Sequence, residues 1–213
     1  MALSQKLFDA IVDGKAQLAK SLVEEELRAG ADPMALVAET MIPAMDEVGK
    51  LFQEEEFFVP ELLLSGRAMK AAMEPLRPLL AVAGAKPAGV VIAGTVKGDL
   101  HDIGKNLVIS MLEGAGFKVV DLGADVTPQK FIEAIREHQP HIVCLSALLT
   151  VTMTAMKTTI DAIKEAGLRR SVKVLVGGAP LSERYAAEIG ADGYGATASD
   201  AVALARRHVG LSN

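Results

Sequence analysis

One cysteine, no tryptophan and four histidines are all that the 213 residues contain of those three types. A lone Cys144 rules out an internal disulfide framework and any Cys-x-x-Cys metal knuckle. Positive charge is also short: 22 Lys and Arg against 27 Asp and Glu leave a net charge of −5, which argues against a nucleic-acid surface. No apolar run approaches the roughly 18 residues of a membrane span. The N-terminus shows no signal-peptide pattern. A soluble, cytoplasmic protein with neither nucleic acid nor membrane as partner is the expectation. What is plentiful is apolar surface: half the residues are hydrophobic and nine are Met, enough for a sizeable core with adaptable packing.

The pattern changes character near residue 85. Before it, only helices are predicted. Ser4 caps a short one carrying Leu7, Phe8, Ile11 and Val12, stopped at Gly14. A second runs from about Lys15 to Ala29, with Gly30 as its stop. Asp32-Pro33 opens a third, with Pro43 a kink, and Phe57-Phe58-Val59-Pro60 leads into a fourth. Four helices on short turns suggest a small bundle over residues 1–84. The small residues of 81–88, AVAGAKPA, read as a linker.

From residue 88 to 213 strands and helices alternate. Gly89–Val96, Phe117–Leu122, His141–Ala147 and Val172–Gly178 are buried-strand patterns, and Ala191–Gly195 is a weaker fifth. Helices are predicted near 103–115, 128–138, 153–166, 181–189 and 199–208. Continuous apolar strands separated by helices mean a parallel sheet covered on both faces. The expected fold is therefore a four-helix cap followed by a five-stranded, doubly wound, flavodoxin-like domain. Ligands of such sheets bind beyond the carboxyl ends of the strands, where strand order reverses. An order of 2-1-3-4-5 would set the loop after the first strand against the loop after the third.

The loop after the first strand reads GDLHDIGKN, Gly98–Asn106. Three chemistries compete for it. HDIGK occurs in HD-type metal-dependent phosphohydrolases, but those are all-helical and need further histidines. Here His138 ends a helix, His141 starts a strand and His208 lies near the C-terminus. A phosphate loop is a second reading, yet neither G-x-G-x-x-G nor the lysine motif of triphosphatases has its spacing here. The third is ligation by His101 of a metal already held in a large organic cofactor. A metal-bound imidazole usually donates its other N–H to a carboxylate. Asp99 stands two residues away for that purpose, and Thr152 or Thr150 could extend the relay.

Asp99-x-His101-x-x-Gly104, the pair Ser146-x-Leu148 and Gly177-Gly178 resemble the cobalamin-binding signature DxHxxG…SxL…GG. The helical first part is similar to the cap preceding that module in cobalamin-dependent methionine synthase. The whole chain resembles the small corrinoid proteins of methyltransferase systems.

That resemblance implies a cobalamin cofactor with His101 as the lower ligand of cobalt, in place of the cofactor's own benzimidazole. Asp99 would bond the other imidazole nitrogen. Thr152 would stand at the outer relay position, where relatives often carry serine. Asp102, Ile103, Gly104 and Thr150 would border the cofactor, and Ser146 would bond the displaced tail. Leu148, Gly177, Gly178, Gly193 and Gly195 would line the slot for that tail. Phe57, Phe58 and Leu62 would either shield the upper face or form bundle core. The resemblance further implies a methyl carrier that is not catalytic alone. Its partners would be a substrate-specific methyltransferase, a second methyltransferase serving tetrahydrofolate or coenzyme M, and a reductive activating protein. The alternatives are the cobalamin subunit of an adenosylcobalamin-dependent isomerase and a cobalamin-sensing regulator.

Overall fold

A computed structural model describes residues 3–82 and 87–211. Residues 83–86, half of the expected linker, lie outside the described residues. The chain divides into two compact units, one of Met1–Pro87 with Glu113–Gly116, the other of Ala88–Leu112 with Phe117–Asn213.

The first unit is helical. α1 (Leu3–Val12) and α2 (Ala16–Arg28) follow the two predicted helices. The third prediction becomes one run: α3 (Pro33–Leu36), a π turn (Val37–Met41) and α4 (Ile42–Gln53). Asp32 caps its start, its side chain accepting from the Ala35 N–H at 2.9 Å. Pro43 lacks an N–H and its ring crowds the carbonyl four residues back. The chain absorbs this not by a free kink but by the wider π turn just before it, closed by the Ile42 N–H on the Val37 carbonyl. α5 (Val59–Met73) is the fourth predicted helix, and a short α6 (Arg77–Val82) was not foreseen. Leu7, Ile11, Val23, Met45 and Leu62 are fully buried between these helices. Ser65, also buried, donates its hydroxyl to the Val12 carbonyl at 2.8 Å, tying α5 to the end of α1.

The second unit is α/β. Its strands are β1 (Val90–Thr95), β2 (Lys118–Asp121), β3 (Ile142–Ser146), β4 (Lys173–Gly177) and β5 (Gly193–Gly195). They form one sheet in the order β2-β1-β3-β4-β5, with every pair parallel. Between and after them run α7 (Ile103–Gly114), α8 (Pro128–His138), α9 (Met153–Glu165), α10 (Glu183–Glu188) and α11 (Ala198–His208). Thr127 and Pro128 start α8 as the sequence suggests, the Thr127 hydroxyl accepting from the Lys130 N–H. Ile92, Val143, Leu145, Val174 and Val176 from the strands pack with Phe131, Met156 and Ile160 from α8 and α9. Burying such side chains stabilises by about 1.5–3 kcal/mol each before entropy is counted.

Register matters most for the site. Thr95 is level with Ser146, Ser146 with Gly177 and Gly177 with Gly195. The last residues of four strands therefore form one row at the carboxyl edge, from which the loops after β1 and β3 leave side by side.

Candidate functional site

The site is built on the loop between β1 and α7. Asp99 is fully buried there, and its carboxylate is surrounded by donors. Oδ1 accepts from the His101 backbone N–H at 3.0 Å and lies 2.7 Å from His101 Nδ1. Oδ2 accepts from the Leu148 N–H at 2.8 Å, the Leu149 N–H at 3.3 Å and the Thr152 hydroxyl at 2.6 Å. The loops after β1 and β3 thus meet on one carboxylate. Burial alone would raise its pKa. The Thr152 hydroxyl and the His101 and Leu148 N–H groups outweigh burial and hold it well below the usual carboxylate range.

An ionised carboxylate only accepts hydrogen bonds, so Nδ1 of His101 carries a proton, and in the neutral ring the lone pair is then on Nε2. The His101 side chain is about half exposed, at 49%, and no protein partner of Nε2 is found among the described residues. A neutral imidazole with a carboxylate behind it and a free Nε2 is the donor that a metal within a macrocycle requires. Around it stand large apolar side chains left to solvent: Leu100, Ile103, Leu148, Leu149 and Val151. Leu100 and Ile103 flank the histidine, and the other three come from the loop after β3. Such a rim suits a large apolar ring better than a small hydrated substrate.

Two glycines sharpen the fit. A Cβ on Gly178 would lie within 2 Å of the Ala147 carbonyl, and its φ is +136°, so the ends of β3 and β4 approach too closely for any side chain. Gly104 is the reverse case. A Cβ there would meet nothing within 4 Å beyond its own stretch of helix, so no packing contact asks for glycine in the first turn of α7. A bound group lying over that turn would.

The remaining predicted residues separate into groups. Ser146, Gly177 and Gly195 share the row at the carboxyl edge. Gly193 has a packing reason of its own, since a Cβ would meet the Leu175 side chain at 2.9 Å. Of the two candidate relay hydroxyls, Thr152 is buried and bonds Asp99, with its oxygen also 2.8 Å from the Leu149 carbonyl; Thr150 is exposed. Asp102 accepts from the Asn106 side-chain amide at 3.1 Å, and its carbonyl accepts from the Asn106 backbone N–H at 2.8 Å. In the helical unit, Leu62 is core, Phe57 is partly buried and Phe58 is exposed. Among the described residues no three or more His, Cys, Asp or Glu stand close enough to hold a metal ion. Burial pushes the Cys144 thiol up to about 12, so it stays protonated.

Sequence reasoning missed three supports. Thr95, buried at the end of β1, donates its hydroxyl to the His101 carbonyl at 3.0 Å. Lys105, buried in the first turn of α7, reaches Asp121 and the Asn106 side chain, both at 2.7 Å. Asp125 bonds the loop from outside. Thr95 and Lys105 carried a signal, as polar residues in otherwise apolar faces; Asp125 carried none.

Comparison with known proteins identifies the family. The B12 binding domain family matches residues 89–203, and a second family of the same description matches residues 3–77. Trimethylamine corrinoid protein 1 of Methanosarcina acetivorans is 43% identical over 203 residues, 94% of each chain. A cobalamin-binding protein from Desulfitobacterium hafniense superposes with a TM-score of 0.80 at 34% identity, over 96% of this chain and 98% of its own. A chain of the methanol:cobalamin methyltransferase complex from Methanosarcina barkeri gives 0.86 at 29% identity, over 99% of this chain and 81% of its own.

Proposed function

The chain belongs to the B12-binding corrinoid proteins, and on that footing we propose that it is a methyl carrier working between two methyltransferases. When bound, the corrinoid supplies a cobalt that takes up a methyl group and gives it away again. The protein's part is to hold that group and to manage one imidazole. The observation that carries this reading is the 2.7 Å contact between Asp99 and His101 Nδ1, which leaves Nε2 free amid an apolar rim.

In this reading His101 Nε2 would hold the corrinoid cobalt in place of the cofactor's own benzimidazole. Asp99 fixes the tautomer and strengthens the imidazole as a donor, and Thr152 holds Asp99 in turn. Gly104 lets the cofactor lie against the first turn of α7. Ser146, Gly177 and Gly178 border the slot for the displaced tail, with Gly195 beside them. Asp102, Ile103, Leu148 and Thr150 edge the same opening.

The same reading makes residues 1–84 a cap and 88–213 the cofactor domain. Phe57, Phe58 and Leu62 belong to the cap, and of these Phe58 alone leaves its ring to solvent, as a residue shielding a bound methyl group must. One partner is a methyltransferase charging the carrier from a small methylated compound; the relative 43% identical over 94% of each chain favours methylated amines as donors. The other partner would unload it to tetrahydrofolate or coenzyme M, with a reductive activating protein as a third. All of this fits the cytoplasm.

Reconstitution with hydroxocobalamin tests the proposal. The protein should retain one corrinoid per chain with the visible spectrum of a histidine-ligated, base-off form. His101→Ala should keep the corrinoid but lose that axial-ligand spectrum. Failure of the parent protein to retain a corrinoid refutes the proposal, and an unchanged His101→Ala spectrum removes His101 from its role.

A further inference from the structure

The carboxylate of Asp99 is held by the loop after β3, but its backbone is held from elsewhere. Between Thr95 and Ile103 the chain has no regular structure, and Gly98 sits at φ +85°, where only glycine moves freely. Asp125, in the turn after β2, bonds this loop on both sides of Asp99. Its carboxylate accepts from the Gly98 N–H at 2.8 Å, and its own N–H donates to the Asp99 carbonyl at 2.9 Å. The Lys97 ammonium adds a third contact at about 3.1 Å. The adjacent Val96–Val126 bridge brings the two loops level.

Asp125 adopts φ +53°, a left-handed conformation uncommon for a residue with a side chain, although Asp tolerates it better than most. That conformation aims N–H and carboxylate at the same stretch of chain. We propose that Asp125 is a positioning residue: it fixes the Lys97–Gly98 and Asp99–Leu100 peptides, and through Asp99 it orients the His101 imidazole. Among the described residues none of its hydrogen bonds goes to the imidazole. The consequence for cobalt ligation rests on the function proposed above; the effect on His101 does not.

The test uses Asp125→Gly, which removes the carboxylate without strain at positive φ, and Asp125→Asn, which keeps an acceptor oxygen and also tolerates that φ. In the cofactor-free protein, NMR of the His101 ring should show a downfield Nδ1–H signal bonded to Asp99. Asp125→Gly should lose or broaden it, and Asp125→Asn should restore it. A Gly variant that is folded and keeps the parent signal overturns the proposal. If that variant does not fold, hydrogen exchange of the Gly98 amide in the parent decides: protection supports the clamp, and exchange at the rate of a free amide overturns it. With hydroxocobalamin, the Gly variant should show about tenfold weaker histidine ligation by visible spectrum, the loss of roughly one charge-assisted hydrogen bond. A parent that binds no corrinoid refutes the carrier reading while the ring signal still judges Asp125.

Discussion

Asp99 and Asp192 stand at opposite ends of the same sheet, both drawn out of water and both bonded to backbone N–H groups. Asp192 precedes β5 at the amino edge. It accepts from the Val174 N–H at 2.8 Å and pairs with Arg169 at 2.6 Å and Lys173 at 3.3 Å. Its charge is matched by two permanent cations. Asp99, at the carboxyl edge, faces N–H groups, a hydroxyl and one imidazole, with no permanent cation bonded to it among the described residues. Two carboxylates of equal type therefore do different work. The first locks strand ends together, while the second is matched only by a group that can gain, lose or share a proton. On the proposed function, the amino edge serves stability and the carboxyl edge a ligand.

The strongest challenge to that contrast is Gly178→Ala. With a backbone carbonyl within 2 Å of the new Cβ, the ends of β3 and β4 must part, at a cost of about 3 kcal/mol or more. Urea unfolding should show that loss together with poor corrinoid retention. Asp192→Ala comes next. It should cost roughly 2 kcal/mol and leave the reconstituted spectrum unchanged; a changed spectrum would erase the distinction between the two edges. Acid sharpens the same point. Burial alone would raise the Asp192 pKa, but the Val174 N–H and the Arg169 guanidinium outweigh it, so the carboxyl is held below its ordinary value, as Asp99 is. A lowered folded-state pKa gives stability that is present above the unfolded value near 4 and is lost as pH falls through the folded value. Melting temperature should therefore fall below about pH 4, and less steeply in Asp192→Ala. The smallest effect is the most discriminating. Gly104→Ala should stabilise the cofactor-free protein by up to about 1 kcal/mol, the helix-propensity gain, while weakening corrinoid retention. Equal retention would mean that nothing lies over that turn.

The fold was largely legible because parallel strands buried on both faces read as continuous apolar runs, and each predicted α/β element is present with ends moved by a residue or two. The helical unit was less so. Pro43 announces a disturbance, but no local rule says that a π turn will absorb it, and α6 is only six residues long. In the site, Asp99 and His101 were readable since both lie in one short loop. Thr152 was reached as one of two hydroxyls, and only three-dimensional placement separated it from Thr150. Asp125 was illegible because its role depends on a neighbouring strand and a left-handed turn, neither of which leaves a mark at its own position.

The Thr152 hydroxyl has one hydrogen and two acceptors within reach, Asp99 at 2.6 Å and the Leu149 carbonyl at 2.8 Å. While Asp99 is ionised, the hydrogen goes to the stronger acceptor, the carboxylate. If the carboxyl takes up a proton it becomes the donor to Thr152, and the hydroxyl turns by rotation about one bond to the Leu149 carbonyl. Both arrangements are complete hydrogen-bond circuits built on the same heavy-atom positions. Because its partners hold the Asp99 carboxyl well below the usual carboxylate range, that exchange belongs to strong acid alone, and it would leave every heavy atom of the pocket where it stands.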